Sequence, residues 1–174
     1  MKIDYFYLLI FITCFSHSIK AQNNCDSIVD KGTLFTIKNL NEYVYKLQND
    51  TFSVYHKKKA IPVCIKKQLD CIIGDFSIAN PGRSFQISCV SSSKLPKRGL
   101  VFLAKNKNLI VLSYFTGGFG ISKHLLIIKY QNDKIVDLWT CSAGSTSNID
   151  SIKGIVSYIL NNWNEVLYST STSF

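Results

Sequence analysis

The second half of the chain contains four apolar runs that are joined by short polar connections. The runs cover residues 100–105, 109–115, 123–130 and 134–141. Asn106-Lys107-Asn108 joins the first pair, and Gln131-Asn132-Asp133 joins the last pair. Short polar connections of this kind are typical of antiparallel neighbours. The pattern therefore predicts a four-stranded antiparallel meander between Gly99 and Cys141.

An amphipathic helix is predicted directly after the meander. Apolar residues recur at three- and four-residue steps, which places them on one helical face; they are Ile149, Ile152, Val156, Ile159, Leu160, Trp163 and Leu167. Ser147 or Asn148 is expected to cap the start of the helix, with Asp150 in its first turn. A single apolar face needs a partner, and the meander supplies a sheet for it to cover.

The first half of the chain predicts further strands. Residues 43–48 and 51–56 are rich in β-branched and aromatic residues, and Asn49-Asp50 between them tolerates a tight turn, so they predict a hairpin. Other short strands are predicted at residues 33–38, 61–65, 71–76 and 84–90, with a turn at 80–82 and a loop at 91–97. The expected fold class is α+β: an antiparallel β-sheet, made of an N-terminal hairpin region and a C-terminal four-stranded meander, with one C-terminal amphipathic helix packed on it.

The N-terminus has the order of a secretory signal peptide. Lys2 gives a positive start, residues 5–16 form an apolar run, and Ala21 occupies a suitable cleavage position. The run is shorter than the roughly 20 apolar residues that span a bilayer, although an uncleaved anchor is the alternative. We expect residues 1–21 to be removed and residues 22–174 to fold as one α+β domain, with 22–31 and 169–174 irregular. The expected location is secreted or periplasmic.

Cysteine content fits an oxidising compartment, where disulfides form. Five cysteines remain after residue 21, so at least one is left without a partner inside the chain. Cys64 and Cys71 are the nearest pair and could be bridged if they flank a hairpin. A core position is the other reading for each cysteine. No Cys-x-x-Cys or paired Cys/His spacing occurs, so neither a metal site nor a cofactor is expected.

The positive charge suggests where a ligand could bind. The whole chain has a net charge of +9, of which +8 remains after loss of residues 1–21, and only Arg83 and Arg98 are arginines. Two basic groups in predicted loops and one glycine-rich connection are the candidate ligand-binding residues: Lys57, Lys58 and Lys59; Lys97 and Arg98; and Gly117, Gly118 and Gly120. Solvated loop ends explain the lysines equally well, and a turn that needs positive φ explains the glycines.

No catalytic residue is assigned, because the chain lacks a recognisable catalytic motif. Ser145 is not in a Gly-x-Ser-x-Gly elbow, and no partner for a triad can be named. The sequence favours a non-enzymatic binding or interaction protein for an anionic surface or polyanion; its partner could be an anionic glycan, lipid headgroups or an envelope protein, and no sequence-specific nucleic-acid binding is expected. The alternatives are a small extracytoplasmic hydrolase, with a site around His124 and Cys141, and a structural component of the envelope.

Overall fold

The computed structural model describes residues 39–88 and 94–168, which form a sheet with helices on both faces. The helices are α1 (Leu40–Asn49), α2 (Val63–Ile73), α3 (Ile152–Asn161) and α4 (Trp163–Tyr168). The strands are β1 (Ser53–Val54), β2 (Ile78–Ala79), β3 (Arg98–Lys105), β4 (Leu109–Thr116), β5 (Ser122–Gln131) and β6 (Lys134–Ala143). A short 3-10 turn covers Lys58–Ala60. This architecture confirms the predicted α+β class.

The four long strands form the predicted antiparallel meander, in the order β3–β4–β5–β6. Short strands β1 and β2 both lie along the outer edge of β3. β1 pairs antiparallel with the end of β3, where Ser53 is opposite Lys105. β2 pairs parallel with the start of β3, where Ile78 is opposite Arg98. The meander is the part of the fold in which local patterning and long-range pairing agree.

Both faces of the meander are apolar, and each has its own helical cover. On one face α1, α3 and α4 pack on alternate strand residues that include Val111, Leu125 and Trp139. On the opposite face α2 packs on the intervening residues, among them Leu112, Leu126 and Leu138. Strands buried on both faces read as nearly continuous apolar runs, because neither set of side chains faces water. The expectation of one helix on one face was therefore incomplete.

The predicted N-terminal hairpin is wrong, because residues 40–49 form α1. Its apolar residues lie at helical spacing, with Leu40, Tyr43, Val44 and Leu47 all buried. The alternation within residues 43–48 favours a strand. The buried residues of that segment, Tyr43, Val44 and Leu47, also fit one face of a helix. Of residues 51–56, only β1 is a strand, and it pairs with β3 rather than with its sequence neighbour.

The strands predicted at 61–65 and 71–76 are also wrong. Residues 63–73 form α2, which buries Ile65, Gln68 and Leu69 against the sheet. The turn at 80–82 is confirmed: the Arg83 amide donates to the Asn80 carbonyl, and Gly82 has a φ of +71°. Residues 84–88 are irregular rather than the beginning of a strand, and residues 94–97 are irregular as expected of the loop.

The C-terminal helix is confirmed, with different ends. Ser151 is its N-cap and accepts a hydrogen bond from the Gly154 amide at 3.1 Å, so Ser147, Asn148 and Asp150 all precede the helix. The helix ends at Asn161, and α4 begins at Trp163. The strand predicted at 33–38, the predicted signal peptide and the tail from 169 lie outside the described residues. None of the helices described has the length and hydropathy of a membrane-spanning segment.

Candidate functional site

One end of the sheet holds Arg98, His124 and the polar residues that contact them. β3 begins there, β4 ends there, and the glycine-rich loop 117–121 leads from β4 into β5. We call this the glycine-loop end, and the opposite end, with connections 106–108 and 132–133, the turn end. At the glycine-loop end an open cleft of about 370 Å³ is lined by Gln86, Lys97, Arg98, Thr116, Gly117 and Gly118. We refer to it as the Arg98 cleft.

Arg98 is one of the residues that line this cleft and is only 8% exposed. Its guanidinium lies over the rings of Phe76 and Tyr114, at 5.0 and 5.7 Å from their centroids. One terminal nitrogen donates to the Asp75 carbonyl oxygen at 2.8 Å, and the Nε has no hydrogen-bond partner within residues 39–88 and 94–168. Over the described part of the chain Arg98 makes no ion pair with a carboxylate. A buried charge is normally paired, so Arg98 carries unneutralised positive charge at the cleft.

Lys97 and Asp75 form an exposed ion pair beside Arg98. The Lys97 Nζ lies 3.1 Å from the Asp75 carboxylate. The hydrogen bond from Lys97 lowers the pKa of Asp75, and the charge of Arg98 contributes in the same direction. Exposed pairs of this type are weak, typically well below about 1 kcal/mol, so an anionic ligand can compete for Lys97.

His124 lies behind the cleft, on the same sheet face as Arg98. Its ring stacks on Tyr114 with centroids 5.4 Å apart, and its Nε2 is 2.9 Å from the hydroxyls of both Thr116 and Ser122. Its Nδ1 is buried and has no hydrogen-bond partner among the residues that the structure describes. Burial lowers the pKa of His124, and the nearby charge of Arg98 lowers it further, so the ring is neutral at pH 7.

Two glycines shape the cleft for different reasons. A Cβ at Gly117 would clash with the Ile87 Cα and would lie 2.5 Å from the Gln86 carbonyl oxygen. Gly118 has a φ of +153°, and its amide donates to the Ile87 carbonyl. The loop therefore packs directly on the irregular segment 84–88, which forms the other wall. A Cβ at Gly120 would meet nothing within 4 Å, so Gly120 has no comparable role.

The structure brings only part of the predicted ligand set together. Lys97, Arg98, Gly117 and Gly118 line one cleft. Lys57, Lys58 and Lys59 do not line it; they are exposed around the 3-10 turn, where the Lys58 amide donates to the Asn80 side chain. Gly120 is exposed in the same loop but does not line the cleft either.

The predicted disulfide between Cys64 and Cys71 does not form. Both residues lie in α2, where seven residues separate Cα atoms by about 10 Å, beyond the reach of a disulfide. Cys64 is a free thiol. The prediction depended on a hairpin that the helix replaces.

The pairing of His124 with Cys141 as catalytic groups is also excluded. Cys141 is opposite Leu125 in the register, so its side chain points to the other sheet face from His124. It is fully buried, and burial raises the pKa of its thiol to about 12. Such a cysteine is a core residue and not a nucleophile.

Tyr114, Thr116 and Ser122 were not predicted as site residues. A signal for them is present in the sequence, because polar residues occupy alternate positions at the end of β4 and the start of β5. Alternate residues of a strand share a face, so Tyr114, Thr116, Ser122 and His124 converge once β4 and β5 are paired. Arg98 lies on the neighbouring strand β3, and no local sequence pattern indicates that it is close to these residues.

No group of three or more His, Cys, Asp or Glu side chains among the described residues is placed to hold a metal ion. Comparison of the chain with protein-family models, with curated proteins and with solved structures finds no match.

Proposed function

We propose that the protein is an exported, non-enzymatic binding protein that recognises an anionic group in the Arg98 cleft. The observation that carries this proposal is that Arg98, a residue of the cleft lining, has a buried guanidinium with no carboxylate partner in the described residues. Replacing water around a buried cation is unfavourable unless an anion or several acceptors compensate it. A bound phosphate or carboxylate group would supply that compensation.

The surroundings of Arg98 support an anion rather than a neutral ligand. Lys97 is exposed beside it, and the Thr116 hydroxyl offers a hydrogen-bonding group at the same cleft. The nearest acidic group, Asp75, is already neutralised by Lys97. The volume of the cleft is within the range of small-molecule sites, at its lower end. It suits one compact anionic group better than a large ligand.

An NMR titration with inorganic phosphate tests the proposal. We expect the amide signals of Arg98, Gly117 and Gly118 to shift in a saturable way, and the response to weaken with added sodium chloride because screening reduces the attraction. Arg98→Met should weaken phosphate binding by about tenfold or more, since hydrogen bonds to charged groups contribute about 1.5–3 kcal/mol. Arg83→Met is the matched control, because Arg83 is exposed and does not line the cleft. Equal binding by both variants would contradict the proposal.

Export is tested separately by the intact mass of the protein recovered from its own host. We expect a mature chain that begins at Gln22, because residues 1–21 have the order of a signal peptide. A full-length chain would remove the exported part of the proposal and leave the anion site unaffected.

A second candidate function is a small hydrolase, favoured by one distance. The Ser122 hydroxyl lies 2.9 Å from the His124 Nε2, within the range for a nucleophile and its general base. In the described part of the chain the His124 Nδ1 has no orienting partner, so the arrangement there lacks the third group of a triad. Labelling of Ser122 by a fluorophosphonate probe, lost in Ser122→Ala, would establish this function; absence of labelling would exclude a reactive serine here.

A further inference from the structure

Four exposed apolar side chains lie in the segments that form the Arg98 cleft or directly adjoin them. Phe119 is fully exposed, and Ile87, Ile121 and Leu95 are 56%, 48% and 43% exposed. We call these four residues the apolar rim. Large apolar side chains grouped in this way mark interaction surfaces more often than isolated ones do.

Backbone hydrogen bonds bring together the segments that carry the rim residues. The Gly118 amide donates to the Ile87 carbonyl, which places Ile87 beside the loop that carries Phe119 and Ile121. The Gln86 amide donates to the Pro96 carbonyl, which brings Leu95 next to the same segment. Segments 86–88, 95–97 and 117–121 therefore meet at the cleft, and each carries at least one exposed apolar side chain.

The charges inside and beside this rim are mainly positive. Lys94 is exposed next to Leu95, and Lys97 and Arg98 line the cleft. Asp75 is the acidic residue that pairs with this group, through Lys97. An apolar rim around cationic side chains is complementary to a lipid surface, in which anionic headgroups lie above acyl chains.

We propose that the glycine-loop end docks on an anionic lipid bilayer, with Phe119 inserted among the acyl chains and a lipid phosphate bound in the Arg98 cleft. This inference rests on the proposed anion site and names its ligand as a lipid headgroup. Insertion removes the apolar rim from water, while each lysine or arginine near the surface adds attraction to anionic headgroups.

A lipid surface fits the rim better than a protein partner does. A stable protein interface buries about 800 Å² on each side and needs a complementary shape. The rim instead consists of side chains from separate loops, and Phe119 stands between Gly118 and Gly120 without packing on its own chain. A fluid bilayer imposes no fixed shape, so a single projecting aromatic ring can insert into it.

Vesicle co-sedimentation tests the inference with matched variants. The wild-type protein should bind vesicles of phosphatidylcholine with 30% phosphatidylglycerol, and bind pure phosphatidylcholine much less. Phe119→Ser should lower the partition coefficient by about tenfold or more, the effect of no longer burying one phenylalanine side chain. Val63→Ser is the control, because Val63 is 72% exposed at the first turn of α2, away from the rim. Every variant has the same N-terminus, so any lipid affinity of residues 5–16 is common to all.

Tryptophan fluorescence gives a second readout that does not depend on sedimentation. Phe119→Trp should show a blue shift with anionic vesicles and quenching by brominated acyl chains, whereas Val63→Trp should show neither. The two native tryptophans are present in every variant, Trp139 buried and Trp163 partly buried, so the emission of the wild-type protein with vesicles is subtracted as background.

The outcomes distinguish failure of the lipid inference from failure of the anion site. If phosphate shifts the Arg98 and Gly117 signals but vesicles do not bind, or bind Phe119→Ser as well as wild type, the lipid inference is overturned and the proposed function stands. If neither phosphate nor anionic vesicles bind, both proposals are overturned. Equal binding to neutral and anionic vesicles would overturn the lipid inference, because Arg98 and Lys97 would then have no part in docking.

Discussion

The two ends of the sheet differ in how completely their polar groups are paired. At the turn end the Lys129 Nζ lies 2.9 Å from the Glu42 carboxylate, and buried Asp137 accepts hydrogen bonds from Tyr43 and Asn39 of the α1 region. At the glycine-loop end Arg98 has no carboxylate and the His124 Nδ1 has no partner in the described structure. Both ends belong to the same strands, so the difference lies in side chains rather than in backbone. It indicates that the turn end holds the fold together and that the glycine-loop end is available for a ligand.

The largest loss of stability is expected at the turn end, from Asp137→Ala. The change leaves the buried Tyr43 hydroxyl and the Asn39 amide without their acceptor. Burial and the hydrogen bond to Asp137 raise the pKa of Tyr43, so the phenol is a permanent donor there. We expect a loss of about 3 kcal/mol in the free energy of unfolding, or a melting temperature about 6–12 °C lower. Thermal denaturation measures this.

Asp50→Ala is the control for Asp137→Ala. Asp50 is exposed and accepts one hydrogen bond, from the Asn106 side chain at 3.2 Å. It should change the free energy of unfolding by less than about 0.5 kcal/mol. If Asp137→Ala were equally mild, the turn end would not hold α1 on the sheet through this carboxylate.

A smaller loss is expected at the glycine-loop end from Gly117→Ala. The added Cβ meets the backbone of Gln86 and Ile87, which cannot rotate away as a side chain could. We expect about 2 kcal/mol of destabilisation, together with weaker phosphate binding because the cleft wall moves. Gly120→Ala in the same loop should change neither quantity by much, since nothing lies within 4 Å of its Cβ position. Denaturant unfolding and the phosphate titration compare the two variants directly.

The sequence could predict the features that depend on local patterns, but not those that depend on contacts between distant parts of the chain. The meander and the C-terminal helix were predicted because their patterns are local and their partners follow next in the chain. Residues 43–48 were assigned to a strand because Tyr43, Val44 and Tyr45 favour strands, yet the burial of Leu40 and Leu47 selects the helix. Lys97, Arg98, Gly117 and Gly118 were named separately, but their meeting depends on the pairing of β3 with β4. Thr116 lines the cleft, whereas Ser122 joins the site only through the hydrogen bond that it makes with His124.

His124 should make the free energy of unfolding depend on pH below about pH 6.5. Its pKa is lowered in the folded protein, so below about pH 6.5 the unfolded chain takes up a proton that the folded protein does not. Stability is therefore fully present above about pH 6.5 and falls as the pH decreases, by at most about 1.4 kcal/mol per pH unit. The lowered pKa of Asp75 acts in the same direction but only at more acidic pH, nearer the usual range of a carboxyl group.

Denaturant unfolding between pH 6.5 and pH 5 measures this slope. His124→Gln should make the free energy of unfolding less dependent on pH. This variant keeps the residues that surround the ring, which are Tyr114, Thr116, Ser122 and Arg98. An unchanged slope in His124→Gln would assign the pH dependence to other groups and would mean that burial at the glycine-loop end does not disfavour charge.

Among the variants that alter the proposed binding site, the smallest effect on stability is expected for Arg98→Met. A methionine can pack between Phe76 and Tyr114 and removes a buried charge that has no carboxylate partner, although the hydrogen bond to the Asp75 carbonyl is lost. We expect the free energy of unfolding to stay within about 1 kcal/mol of wild type while phosphate binding is lost. Because Asp137→Ala should do the reverse, the pair of variants separates the end that stabilises the sheet from the end that binds. A loss of several kcal/mol in Arg98→Met would make Arg98 a structural residue, since a guanidinium kept for a ligand should cost the empty protein little when it is replaced.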